Sequence, residues 1–326
     1  MESITAITRM RTANRFEDLL PNSTDPEKAR IRTKLVALLN AQGEIVPAAK
    51  SPLGELWRLV NSKNSSLEEC EEVVQLDAAL TSRIFRVANS AAYGAAATNV
   101  SDAIRYIGFK PVRELVFNAG VFNQFSSLRV PPEWDVFWLR NIFIARLSER
   151  IAGVFFQTDG SEYLAGLIHD IGWLFLITHF PDEFARILGS EKPLAEAEKD
   201  VLPFSHANMA AAIAARSSLP LRAVDAIAYH HKKMLMTTST LIAPNQNPLF
   251  LGIILSVCDN IADSCQLNLF ETSTVTMDEV RESAEAVWLT NHGKKLDFEA
   301  MAVEELVKSQ EIYTAFFSKD AAQDAA

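Results

Sequence analysis

Residues 77–125 read DAALTSRIFRVANSAAYGAAATNVSDAIRYIGFKPVRELVFNAGVFNQF. Behind Asp77, whose carboxylate is placed to cap the free amides of a first turn, Leu80, Ile84 and Val87 recur on one helical face. Gly94 is expected to stop that helix, with Asn89 and Ser90 capping backbone groups at the joint. Ser101 is placed to cap a short helix, DAIRYIG, and Gly108 suits a left-handed C-terminal position. Pro111 then fits the first turn of PVRELVFNAGVFNQF. The stretch predicts short, sharply jointed helices.

Working outward, residues 26–40 (PEKARIRTKLVALLN) carry Ile31, Leu35, Leu38 and Leu39 at helical spacing, an amphipathic face to pack on the main domain or on another chain. Leu53, Leu56, Leu59 and Val60 form a second apolar stripe before a polar loop. Ser66 and Glu69 have the spacing of a reciprocal capping box, opening a helix expected to end near Leu76. Trp134 and Trp138, at i and i+4, read as core. Residues 278–318 read as two further amphipathic helices, and the tail KDAAQDAA is too small and polar to bury.

Composition agrees with a globular helical protein of one large or two small lobes. Of 326 residues, 48% are hydrophobic and 22% charged, while only 12 Gly and 13 Pro punctuate the chain. The formal charge of −10 repels polyanions, so general nucleic-acid binding is not expected. Cys70, Cys258 and Cys265 lack a close CxxC pair and read as reduced core thiols. The N-terminus lacks an apolar signal-peptide core, and no stretch approaches the ~20 apolar residues of a membrane span. Cytoplasmic residence without a membrane is the expectation.

Residues 47–94 (PAAKSPLGELWRLVNSKNSSLEECEEVVQLDAALTSRIFRVANSAAYG), followed by VSDAIRYIGFKPVRELV at 100–116, resemble the opening half of the HDOD family. The sharpest piece is ANSAAYG, Ala88 to Gly94; Ala78 departs from the proline the family commonly has after the aspartate. The resemblance runs from about residue 40 to about 265 and implies an all-α multi-helix bundle with an N-terminal helical lobe and a C-terminal HD-like lobe. The expected division is 1–40 as an N-terminal helical extension, 41–130 and 131–270 as the two lobes, and 271–326 as C-terminal helices and flexible tail.

Five of the six histidines fall between His169 and His231. GLIHDIGW sets His169 beside Asp170, an imidazole and a carboxylate of the kind borderline divalent metals accept. His206 follows in FSHANMAAAI, His230 and His231 in AIAYHHKK, and Asp259 in ILSVCDNIAD. By resemblance, this is the order of the metal ligands of HD and HD-GYP phosphohydrolases, and it implies a site for iron, manganese or zinc. Asn141, in FWLRNIFIARL, stands where those enzymes have their leading histidine, and an amide offers only a neutral oxygen. Trp173 stands where HD-GYP proteins have a phosphate-holding lysine, and the GYP signature is absent. No catalytic residue is assigned. The set reads as a vestigial polar cluster, a metal site without turnover, or a working hydrolase, and the sequence leaves the three open. His179 and His292 lack ligand-like partners and read as structural.

The resemblance implies a bacterial signalling adaptor on a degenerate phosphohydrolase scaffold, acting by binding a protein partner, a nucleotide or a cyclic dinucleotide. No cyclase, kinase or receiver sequence accompanies it here, so a stand-alone regulator is the expectation. The alternative is a metal-dependent phosphohydrolase acting on a phosphodiester or nucleotide. Whether Arg83, Arg86 or Lys232 converge on one cleft, and whether the chain oligomerises, is open at this level.

Overall fold

A computed structural model describes residues 16–41, 58–59, 62, 66–94, 97–128, 130–131, 134, 136–217, 219–231, 250–270, 275–292 and 296–317. A 3-10 turn (Phe16–Leu19) precedes α1 (Pro26–Ala41), α2 (Leu67–Val74), α3 (Ala78–Ala88), α4 (Val100–Ile107) and α5 (Phe109–Gln124). Next come α6 (Phe137–Phe155), α7 (Ser161–Ile168), α8 (Ile171–His179), α9 (Pro181–Leu188), α10 (Leu194–Val201), α11 (His206–Arg216) and α12 (Leu221–Tyr229). The chain closes with α13 (Phe250–Ser264), α14 (Met277–Glu282), α15 (Ala284–His292) and α16 (Phe298–Phe317). Among the described residues there is no strand, and the all-α expectation holds.

The organising element is α6. It is buried on nearly every face, with Phe137, Ile142, Phe143, Ile144, Leu147 and Ile151 in the core, because α7, α13 and α16 all pack around it. Trp134 and Trp138, at its start, are core as expected. Arg146 on the same helix binds the Glu114 carboxylate of α5 and, at 2.8 Å, Glu305 of α16, so a buried cation ties three helices together. On α1, Ile31, Leu35 and Leu39 are buried and Leu38 half-buried. Lys34 donates to the His179 carbonyl (2.5 Å) and Arg216 to that of Leu39 (3.0 Å), so α1 packs on its own chain.

Several joints differ from the sequence reading. The box of Ser66 and Glu69 and the Asp77 cap are present, the latter accepting from the Leu80 amide at 2.9 Å. However, α3 ends at Ala88, ahead of Gly94, because the Asn89 side chain accepts from the Ala97 amide (2.8 Å) and donates to its carbonyl (3.3 Å), pulling the chain out of the helix. Gly94, at φ +62°, turns the loop instead, and the buried Ser90 hydroxyl has no partner among the described residues. The cap of α4 is Asn99 and not Ser101: its side chain accepts from the Asp102 amide at 2.8 Å, which brings Val100 onto the buried face. Gly108 has the positive φ expected of it, but with ψ 170° its backbone is extended, a conformation only glycine adopts readily.

The region read as two C-terminal helices forms three, since Ser283 breaks the run with an extended ψ of 145° and its hydroxyl accepts from the Ala286 amide, opening α15. Leu59 is buried; Leu53, Leu56, Val60, Lys232 and the tail lie outside the described residues. No single described helix is long and apolar enough to cross a membrane.

The tightest seam is that of α6 and α7. A Cβ on Gly166 would lie 2.6 Å from the Ala145 Cα, a backbone atom that cannot yield without moving a helix. Gly166→Ala is therefore expected to destabilise the fold by about 1–3 kcal/mol, read as a lower midpoint in urea unfolding.

Candidate metal centre

The site forms where helix ends meet. His169 closes α7, Asp170 opens α8, His206 opens α11, His230 and His231 follow α12, and Asp259 comes from α13. Asp170 occupies an N-cap position yet makes no side-chain cap. Its carboxylate is thereby left for the interior. Gly172, two residues on, admits the His206 backbone, for a Cβ there would stand 2.1 Å from the His206 carbonyl oxygen. A capping box of Ser205 and Asn208 fixes the turn from which His206 projects.

Three rings are pinned the same way. Nδ1–H of His169 donates to the Gly166 carbonyl at 2.7 Å, and that of His230 to the Ile227 carbonyl at 2.7 Å. The Glu198 carboxylate accepts from His206 Nδ1 at 2.9 Å and from the His206 amide at 2.7 Å. Each bond places the ring proton on Nδ1 and turns the Nε2 lone pair inward. The Nε2 atoms then lie 3.2 Å (His169), 3.6 Å (His206) and 3.7 Å (His230) from Asp170 oxygens, and His169 Nε2 is 3.4 Å from Asp259. His231 stands at the solvent rim, its ring 3.9 Å from that of His230 and 5.0 Å from that of His206. Donor atoms of Asp170, His206, His230 and His231 lie within 4.8 Å of one another, as do those of His169, Asp170 and Asp259. All six sequence candidates are thus brought together.

The donors fit a divalent cation. Among the described residues, the Nε2 atoms of His169, His206 and His230 and Oδ1 of Asp170 are buried without hydrogen-bond partners, an arrangement of lone pairs facing lone pairs that only a proton or a cation relieves. Without an ion the protons take that place. Burial disfavours the His169 imidazolium, but the Asp170 and Asp259 carboxylates outweigh it and raise its pKa to about 10. His206 moves up likewise, against burial, through Glu198 and Asp170. Despite its own burial, Asp170 is held well below the carboxylate range, chiefly by His169.

Asn141, fully buried on α6, donates to the Phe137 carbonyl at 2.8 Å, and its side-chain oxygen is without a partner among the described residues. Trp173 lies flat on the His206 ring, centroids 4.3 Å apart, and packs edge-on to Trp134 and Phe270. Two neighbours escaped the sequence reading. Arg140 binds Asp259 (2.5 Å), Asp263 (2.6 Å) and the Leu267 carbonyl (2.8 Å), and Glu198 holds His206. A charged side chain inside the apolar run of α6 was the available signal for Arg140; Glu198, in an acidic helix, gave none. Together Arg140, Asp170, Trp173, His206, Asp259 and Phe270 face a cavity of about 180 Å³. Elsewhere, Arg83 lies over the Phe316 ring, and His292 bonds the Trp288 carbonyl, in keeping with a structural role.

Residues 46–233 match the family model described as the HDOD domain. An uncharacterized protein of Treponema pallidum is 22% identical over 212 residues, 61% of this chain; the aligned part spans 40% of that relative's length. Among solved structures, an HDOD domain protein of unknown function from Geobacter sulfurreducens is similar in fold (TM-score 0.65, 21% identity, covering 87% of this chain and 96% of that one). So is a protein from Shewanella amazonensis assigned as a phosphohydrolase (0.61, 18%, covering 86% and 98%). A protein assigned to signal transduction from Marinobacter aquaeolei is a third (0.60, 18%, covering 94% and 68%).

For chelator-treated protein the His169 shift gives a signed expectation. Its folded pKa lies above the ordinary 6.5, so the stabilisation is complete below pH 6.5 and is lost as pH rises through about 10. The stability difference between wild type and His169→Gln, measured by urea unfolding at a series of pH values, should be largest near pH 6 and shrink toward pH 10.

Proposed function

We propose, from the premise that this chain belongs to the HDOD domain family, that it is a signalling protein whose HD-like pocket holds a divalent metal ion and receives its signal there by binding, without turnover. The observation that carries this reading is the triple anchoring of His169, His206 and His230 through Nδ1, with three unpartnered Nε2 atoms facing Asp170. Purely structural histidines have no need of that common orientation. Imidazoles with carboxylates suit iron, manganese or zinc. His206, His230, His231 and Asp170 would hold the ion, with His169 and Asp259 completing the donor set. When bound, it supplies a positive centre for an oxyanion.

Three residues favour reception over hydrolysis. Asn141 replaces an imidazole by a neutral amide, Trp173 covers one face of His206, and Arg140 already engages the Asp259 carboxylate. The second reading, a metal-dependent phosphohydrolase, draws support from the open cavity over Asp170 and Asp259. A regulatory role also agrees in fold with the Marinobacter signal-transduction protein. The same proposal includes the two-lobe division at about residue 130, a protein partner that reads the state of the pocket, and residence in the cytoplasm.

Protein purified without chelator should carry close to one equivalent of iron, manganese or zinc by plasma mass spectrometry, with His206→Ala lowering the content at least tenfold. Manganese-loaded protein is expected to leave bis(p-nitrophenyl) phosphate intact, and Asn141→His to bind the metal more tightly. Metal-free wild type would sink the metal reading; manganese-dependent turnover would replace reception with catalysis.

A further inference from the structure

Among the described residues, the two most exposed large apolar side chains are Leu76 (72%) and Tyr106 (65%), and Phe109 (41%) lies three positions beyond Tyr106. All three belong to one run of short helices. Leu76 follows the end of α2, Tyr106 is on the outer side of α4, and Phe109 opens α5. Because α4 packs against both α2 and α5, it joins their outer surfaces. Exposed apolar side chains that share a surface mark a contact with another molecule more often than scattered ones do.

The charges on this surface are sorted by sign. On α2, Glu68 and Glu72 are exposed and four residues apart, so they form one acidic stripe that runs toward Leu76. Glu69 and Glu71 of the same helix are already engaged, by the capping box and by Gln75. The other edge is basic: Arg105 and Lys110 are exposed beside Tyr106 and Phe109, on the two arms of the corner that Gly108 makes with φ +80°. Lys110 also reaches the buried Glu149 at 3.1 Å. Among the described residues, Glu68, Glu72 and Arg105 have no ion-pair partner.

A surface of one sign calls for a different molecule, whereas a surface with an acidic and a basic edge is complementary to itself. A two-fold rotation lays the acidic edge of one copy on the basic edge of the other, and does so twice. With a formal charge of −10, two copies repel one another at a distance, so a register that brings opposite edges together is what permits approach.

We propose that this chain pairs with a second copy of itself as a two-fold dimer through α2, α4 and α5, Arg105 of each copy meeting the Glu68 and Glu72 stripe of the other. Leu76, Tyr106 and Phe109 are buried between the copies. Tyrosine and arginine are the side chains enriched in such contacts. None of the six donors of the His/Asp cluster belongs to this surface, so the dimer stands apart from any reading of the pocket.

The test is sedimentation velocity of the full chain over a dilution series, in chelator. Wild type should pass from monomer to dimer as concentration rises. Arg105→Glu, and separately Glu68→Lys combined with Glu72→Lys, should each weaken the dimer by about tenfold or more, since each sets like charges face to face twice. An equimolar mixture of the two variants should recover to within about threefold of wild type, because each reversed edge then meets its opposite. Tyr106→Ser should weaken the dimer with no rescue by mixing. All these positions are exposed, so circular dichroism melts of the variants should match wild type. A chain that stays monomeric at every concentration, or a dimer indifferent to the substitutions, overturns the proposal. So does a loss that mixing fails to repair, which would give the basic corner to an acidic partner of another kind. Growth beyond the dimer overturns the two-fold arrangement in favour of a head-to-tail one.

Discussion

The pocket depends on one buried carboxylate. Asp170 sits at the head of a helix, where an aspartate ordinarily spends its oxygens on backbone amides, yet it caps nothing and faces three imidazole nitrogens. An ionised group withdrawn from water costs several kcal/mol unless cations or donors surround it. Each surrounding helix contributes to that compensation. Through Gly172, α8 lets α11 come close enough to deliver His206; α10 supplies Glu198 to orient the ring; and α7 and α12 turn their own terminal carbonyls to His169 and His230. The helix ends meet here because the charge between them needs all of them.

Much of this was legible in the sequence. Helix-forming stripes, the Ser66 and Asp77 caps and the His/Asp set follow from local spacing and from family motifs, and the structure brings the six donors together. What escaped shares one physical property: it is set by partners distant in the chain. Asn99 outcompetes Ser101 as a cap because the register of α4 is fixed by burying Val100. Asn89 ends α3 early because Ala97 folds back to meet it. Glu198 and Arg140 matter only once α10 and α6 have been packed against the cluster.

Arg140 also changes how Asn141 is to be read. Adjacent on one buried helix, Arg140 supplies a fixed cation to Asp259, while Asn141 donates to the Phe137 carbonyl. A guanidinium already paired with the aspartate competes with any metal for the same oxygens. Whatever weight Asn141 carries, Arg140 alone makes Asp259 a shared and not a dedicated ligand.

The buried Arg146, shared between Glu114 of α5 and Glu305 of α16, bears on what constitutes a self-sufficient folding unit in this chain. The family match stops at residue 233, but α16 begins at Phe298 and still supplies one of the two carboxylates that neutralise that cation. Excising the matched segment would leave that guanidinium with Glu114 alone and bare the flank of α6. The matched segment and the cooperative body are therefore of different sizes: sequence outside the match is part of the keystone, and any dissection of this protein into portable modules has to carry α16 along.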